Sequence, residues 1–267
     1  MATARWAFTC ALGLASIFTS GRDAAAADTT ATSAEAAPTK WVAYLHGRGE
    51  DGWGGEFRAP AGWGTVDIRY NATTATLAEA NVGVTKALRD VCTNGNQCVI
   101  VAYSNGTMQA GRSLDIAPDL ADGVLYVESG GAAIGGSELV SLCGVGTVLG
   151  AVSGWDICYP NGVDATLSVS GARAAFDHNS VVPWYHVGGN TNWLNRMWYV
   201  TAAILPGDDD GVVAFHSAFG CRASGSQTTS CSKFGGHFLD TWCSPCPGGV
   251  CRGEDHWATR GYAVQCF

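Results

Sequence analysis

One serine in this chain stands where a nucleophile has to stand. Val99-Ile100-Val101-Ala102-Tyr103 is an uninterrupted apolar run that leads straight into Ser104-Asn105-Gly106 and then a stretch with helical spacing. A serine on so tight a strand-to-helix turn projects its hydroxyl above the sheet, and Ala102 and Gly106 are small enough for the backbone packing the turn requires. The plainer reading is an N-cap serine that opens a helix. Two other clusters hold groups that acyl transfer needs: His46-Gly47-Arg48-Gly49 after a short apolar segment, and Asp208-Asp209-Asp210 after Leu205-Pro206-Gly207. An activated serine requires a base for its proton, a carboxylate that fixes the tautomer of that base, and preset donors for the oxyanion. The acidic run lacks the alternating spacing of a calcium-binding hand, so its plainer reading is a solvated turn. The histidines are His46, His178, His186, His216, His237 and His256.

The elements that must position these groups alternate between strand and helix. Residues 41–45 and 65–70 read as strands, and residues 75–92 as a helix with apolar positions at Leu77, Val82, Val84, Ala87, Leu88 and Val91. Residues 98–103 read as a central strand covered on both faces, residues 105–114 as a helix, and residues 123–127 and 198–205 as further strands. Residues 211–219 read as helical, and residues 234–242 as the last strand. This order predicts an α/β fold with right-handed crossovers, a mostly parallel central sheet with helices on both faces, and reactive groups beyond the carboxyl ends of the strands. Residues 129–196 are the variable part. Aromatics there and just beyond, among them Trp184, Tyr185, Trp193 and Trp198, read first as core and second as a pocket wall or lid.

Ala102-Tyr103-Ser104-Asn105-Gly106 resembles the nucleophile elbow of the α/β-hydrolase superfamily, G-x-S-x-G, with Ala in the first position. His46-Gly47-Arg48-Gly49 resembles the H-G-x-G loop of lipases and esterases. Asp210-Gly211-Val212-Val213 is similar to the D-G-x-V of bacterial lipases. Gly136-Ser137 matches the end of their G-T-P-H-x-G-S stretch, although the Pro-His pair is missing. The resemblance covers residues 41–267 and is concentrated in short motifs. It implies an α/β-hydrolase fold of the bacterial-lipase-like serine esterase kind, with Ser104 as nucleophile, the Arg48 and Asn105 N–H groups as oxyanion donors, and Asp210 as the acid, with Asp209 as the alternative. The superfamily's chain order of nucleophile, acid and base leaves His216, His237 and His256. His216 is too close to Asp210 to come from the next loop. His256 is preferred as the base, because it follows the expected last strand and precedes an expected terminal helix over residues 257–264. His237, in a His-Phe-Leu-Asp context similar to that of some bacterial lipases, stays open. His46 is expected to brace its loop, and the Arg48 side chain to be replaceable at little cost. No metal or organic cofactor is implied.

Composition narrows the partners. The 267 residues include 36 Gly and 10 Trp, only 14% are charged, and the net charge is −8. Three lysines and no basic run argue against nucleic acid or an anionic membrane as partner. Residues 1–27 read as a secretory signal peptide, with Arg5 in its positive region, an apolar stretch too short to span a bilayer over residues 6–18, and small residues at Ala24–Ala27. Residues 28–39 read as a flexible spacer and residues 40–267 as one domain, with no integral membrane segment in the mature chain. Without Cys10, which lies in the signal, ten cysteines are left; an even count in an exported chain predicts a disulfide-stabilised fold. Cys92–Cys98 and Cys221–Cys231 are the local pairs expected from proximity. A zinc or redox role for Cys243-x-x-Cys246 is disfavoured by its Cys-rich tail context.

Together these readings point to a secreted or periplasmic serine hydrolase of small-molecule or lipid esters. The alternatives are a serine hydrolase of another acyl bond (thioester, polyester or peptide) and a non-catalytic binding protein on the same scaffold.

Overall fold

The two apolar runs singled out above form the centre of the sheet in the computed structural model, which describes residues 39–142, 158–175, 182–190, 204–205, 207, 209–218, 238–240, 250–252 and 256–262. β1 (Lys40–Leu45) lies between β2 (Gly64–Ile68) and β3 (Gln97–Tyr103). β4 (Val124–Gly130), β5 (Trp184–Asn190) and β6 (Phe238–Asp240) follow, in the order β2-β1-β3-β4-β5-β6 with every neighbouring pair parallel. β7 (Val250–Arg252) pairs in parallel with Gly188–Asn190 of β5.

Side chains alternate along a strand, so the central strands feed two cores. Ala43, Leu45, Ile100 and Ala102 pack with Leu77, Val84 and Leu88 of α1 (Leu77–Cys92) and Met108 of α2 (Asn105–Ile116). Val42, Tyr44, Val99, Val101 and Tyr103 pack with the fully buried Trp53 on the other face. That second face also receives α6 (His256–Tyr262), whose His256 ring lies 5.0 Å from the Tyr103 ring. The other short α-helices among the described residues are α3 (Val163–Leu167), α4 (Val169–Ala175) and α5 (Phe215–Ala218).

α1 begins at a capping box, with the Thr76 hydroxyl accepting from the Glu79 N–H and the Glu79 carboxylate accepting from the Thr76 N–H. Its stripe differs from the expected one at Val82, which is exposed. Asn81 and Thr85 are buried there instead, and they are satisfied across the helix pair: Asn81 Nδ2 donates to Gln109 O at 2.9 Å and to Ser113 Oγ at 3.1 Å. Cys92 and Cys98 are joined by a disulfide across the α1–β3 connection, as expected, and Cys158 is disulfide-bonded too. The expected Cys221–Cys231 pair, Cys243-x-x-Cys246, and residues 1–38 with the expected signal lie outside the described residues.

Two expected elements change. β5 is a strand that the sequence reading assigned to the variable region. Of the expected strand over residues 198–205, only Ile204 and Leu205 are described, and they form a turn and a bend. The expected helix over residues 211–219 is cut to α5, because residues 209–214 close a tight hairpin-like turn, with Asp209 and Ala214 bridged antiparallel and the Asp210 N–H donating to Val213 O at 3.2 Å. Among the described residues, no helix is long and apolar enough to cross a membrane.

Candidate active site

Ser104 sits at the carboxyl end of β3 with φ 52° and ψ −118°, a backbone conformation that a side-chain-bearing residue rarely adopts. Such strain costs on the order of 1–3 kcal/mol and persists only where the surroundings over-determine it. They do so here. The Ser104 N–H donates to Gly130 O at 3.1 Å, and its carbonyl accepts from the Thr107 N–H at 3.1 Å, the Thr107 hydroxyl at 2.6 Å and the Ala133 N–H at 3.3 Å. The Ser104 side chain makes no capping hydrogen bond. The N-cap reading therefore fails, and the hydroxyl is left for the cavity. Gly106 is required two residues on, since a Cβ there would lie 2.4 Å from Leu45 O. Asn105 is the first residue of α2, so its N–H has no acceptor within the helix.

The loop after β1 lies against this turn. A Cβ on Gly47 would meet the Tyr103 ring at 2.8 Å, so the backbone of Gly47 rests directly on the residue before Ser104. His46 is fully buried and held between backbone groups: Nδ1 donates to Gly47 O at 3.0 Å, and Nε2 accepts from the Tyr70 N–H at 3.4 Å. It stacks on the Tyr70 ring, and burial pushes its pKa down, which favours the neutral ring. His46 thus braces the loop, as expected. Arg48 departs from expectation. Its guanidinium forms a two-pronged ion pair with the buried Asp164, Nε to Oδ1 at 2.6 Å and Nη2 to Oδ2 at 2.8 Å, and lies over the Tyr159 ring. Its removal takes the charge partner from a buried carboxylate that also accepts from the Tyr159 N–H at 2.7 Å, so a cost in stability is expected from its replacement.

Among the described histidines, His256 is the one that lines the same cavity as Ser104. Its Nδ1 donates to Asp210 Oδ2 at 2.7 Å, and its own N–H donates to Asp210 O at 2.8 Å. Asp210 Oδ1 accepts from Val212 N at 2.9 Å and Val213 N at 2.7 Å, so every oxygen of this buried carboxylate is fixed. Asp209, the alternative, binds the Gly211 N–H through Oδ1 at 2.8 Å. Ser137 Oγ donates to Val212 O at 2.5 Å, which ties the Gly136-Ser137 segment to the acid loop. Two glycines clear space for α6. A Cβ on Gly130 would lie 2.2 Å from Thr259 O, and one on Gly131, at φ 52°, would lie 2.7 Å from His256 Nδ1. His237 lies outside the described residues. His216 is buried beside Glu138, 3.8 Å from its carboxylate.

Ser104 and His256 line one cavity of about 240 Å³, with Arg48, Gly49, Tyr103 and Trp257 among its walls. The structure therefore brings together Ser104, His256 and Arg48, with Asn105 next to Ser104 and Asp210 behind the imidazole. Sequence reasoning missed Asp164 beneath Arg48, and also Glu50 and Arg260. Glu50 lines the cavity and forms an ion pair with Arg260, with Arg260 Nη1 and Glu50 Oε1 2.5 Å apart. Asp164 lies 116 positions from its partner and Arg260 lies 210 from its own, and no local pattern announces such pairs.

No protein-family model and no curated protein matches the chain. Solved structures do. The mature form of a lipase from Bacillus licheniformis, BlEst2, superposes with a TM-score of 0.57 at 15% identity, over 82% of this chain and 85% of that one. A metagenomic carboxyl esterase superposes with a TM-score of 0.52 at 17% identity, over 67% of this chain and 59% of that one, so this chain spans well under two thirds of its length. With the strand order and the turn at Ser104, these likenesses define the α/β-hydrolase fold.

Proposed function

We propose that this protein is a serine hydrolase that cleaves carboxylic esters through an acyl-enzyme. Ser104 Oγ attacks the ester carbonyl, and His256 Nε2 takes its proton. Asp210, bound to Nδ1, holds the imidazole in the tautomer that leaves Nε2 free to accept, and it stabilises the imidazolium that forms. The N–H groups of Arg48 and Asn105 receive the negative charge on the tetrahedral oxygen. They are fixed before that charge develops, which is what makes backbone donors effective. His256 then protonates the leaving alcohol, and water cleaves the acyl-enzyme by the same route in reverse. No step calls for a metal or an organic cofactor.

One observation carries the reading: a strained serine at the tip of the central strand shares a cavity with an imidazole whose other nitrogen is bound to a buried carboxylate. Likeness in fold to a lipase and to a carboxyl esterase supports the ester as the bond cleaved. We read the protein as exported, secreted or periplasmic, on the expected signal over residues 1–27 and the disulfides at Cys92–Cys98 and Cys158. A chain-length series of chromogenic esters, run with wild type and Ser104→Ala, tests the activity. Turnover by wild type and a loss of about 10⁴-fold or more in Ser104→Ala is the expected outcome. Equal turnover by the two proteins removes Ser104 from the chemistry.

A further inference from the structure

The structure holds a second, unassigned pair of charged residues at the cavity, Glu50 in its wall and Arg260 bound to it, and most of its contacts lead back to the three segments that build the site. Glu50 divides its carboxylate between two of them. Oε2 accepts from the Gly47 N–H at 2.8 Å, in the loop that carries Arg48, and Oε1 pairs with Arg260 Nη1 at 2.5 Å, one helical turn beyond His256. Arg260 Nη1 also donates to Trp53 O at 3.1 Å, and its guanidinium stands 5.1 Å over the Tyr103 ring, next to Ser104. The Tyr103 ring therefore has the His256 imidazole and the Arg260 guanidinium both packed on it, and Gly47 lies against it as well. The approach is close along the whole pair, since a Cβ on Gly54 would come within 3.3 Å of Arg260 Nη1.

We propose that the Glu50–Arg260 ion pair is a positioning joint that locks the loop bearing the Arg48 N–H to the helix bearing His256, so that the oxyanion donor and the base keep one mutual distance. The geometry argues for this over general stabilisation. A surface ion pair holds two side chains; this one holds a backbone N–H adjacent to the proposed donor and a helix that begins at the proposed base. The side chains are 19% and 26% exposed, placed at the rim and not in the core, so either one can be replaced without opening a cavity in the sheet. Without the joint, each segment keeps its own contacts, His256 to Asp210 and Arg48 to Asp164. What is lost is the tie between them, and small misplacements of that kind cost rate far more than binding.

The catalytic half of this inference rests on the serine-hydrolase reading; the mechanical half does not, and the test separates them. Wild type, Arg260→Met, Glu50→Ala and Glu50→Gln are compared by backbone hydrogen exchange and by ester turnover per titrated active site. In Arg260→Met, faster exchange is expected at residues 46–49 as well as at residues 256–260, with kcat down at least about tenfold and KM within about threefold. Glu50→Ala is expected to match it. Glu50→Gln, which still offers an oxygen to the Gly47 N–H, is expected to recover part of the loss. Unchanged exchange at residues 46–49 in Arg260→Met overturns the joint, whatever the activity. Unchanged kcat per active site with faster exchange in both segments overturns its role in positioning. A wild type that turns over no ester, yet shows the coupled exchange, removes the hydrolase reading and leaves the joint standing.

Discussion

Ser104 and Ser129 lie near the carboxyl ends of adjacent parallel strands, and each has a histidine for company. Ser129 Oγ is hydrogen-bonded to His186 Nδ1 across the β4–β5 ladder, where the two residues are register partners. By side-chain chemistry alone it offers the same two groups as Ser104 and His256, which share a cavity. The surroundings separate them. Ser129 lies within a regular strand, and both it and His186 are fully buried. Ser104 lies one step beyond the end of its strand, in a turn with φ 52°, and faces a cavity that His256 also lines. His256 is oriented by a carboxylate whose other oxygen is held by two backbone N–H groups. A serine–histidine hydrogen bond inside a sheet adds to packing and specificity of pairing. In the proposed function the same two residue types serve acyl transfer, because a strained turn lifts the hydroxyl out of the ladder and an acid fixes the ring.

The contrast can be broken at several points. The largest effect is expected from Asp210→Asn, which preserves shape but favours the wrong imidazole tautomer: ester turnover should fall by about 10⁴-fold while the fold survives. A fall of less than about tenfold breaks the comparison, because His256 then needs no carboxylate. A moderate effect of a different kind is expected from Ser129→Ala. Losing the His186 partner should cost about 1–3 kcal/mol in denaturant unfolding and leave turnover within about twofold. A large loss of turnover at full folding makes the buried pair functional and sinks the distinction.

The smallest effect on turnover is expected at Glu128, the neighbour of Ser129, where the change is read as a pH dependence of stability. It is 1% exposed, and burial pushes its pKa up to about 8. The native state thus keeps a proton that the unfolded chain releases near the ordinary carboxyl value. Stability from this group is fully present below about 4.5 and declines as pH rises toward about 8, by an amount on the order of a few kcal/mol. Melting temperatures measured from pH 5 to 8 should therefore fall less steeply in Glu128→Gln than in wild type. Parallel curves contradict the burial effect.

How much of this was legible beforehand follows from where the signal resides. β1, β3 and the turn at Ser104 are local: continuous apolar runs, then small residues at Ala102 and Gly106 where backbone has to approach backbone. Asp210 and His256 were picked out by motif and chain order, and the fold brings them into contact. β5 was missed because Trp184-Tyr185-His186-Val187-Gly188-Gly189 mixes aromatics, a buried histidine and glycines, which do not read as a strand without the neighbours that cover it. The helix expected over residues 211–219 is shortened by backbone pairing between Asp209 and Ala214 and between the Asp210 N–H and Val213 O, and a helical apolar pattern does not reveal such a turn. Charge partners were the least legible. Arg48–Asp164 and Glu50–Arg260 join positions far apart in the chain, and only the folded backbone makes them neighbours.

The most direct measurement is covalent. A fluorophosphonate reacts with a serine only when a base takes its proton and donors hold the phosphoryl oxygen, so it reports the assembled site without knowledge of the natural ester. Intact-mass and peptide analysis of the folded protein should find one adduct, on Ser104, absent from Ser104→Ala. A well-folded protein that takes up no label, or takes it up on another residue, would contradict the claim that Ser104 is an activated nucleophile.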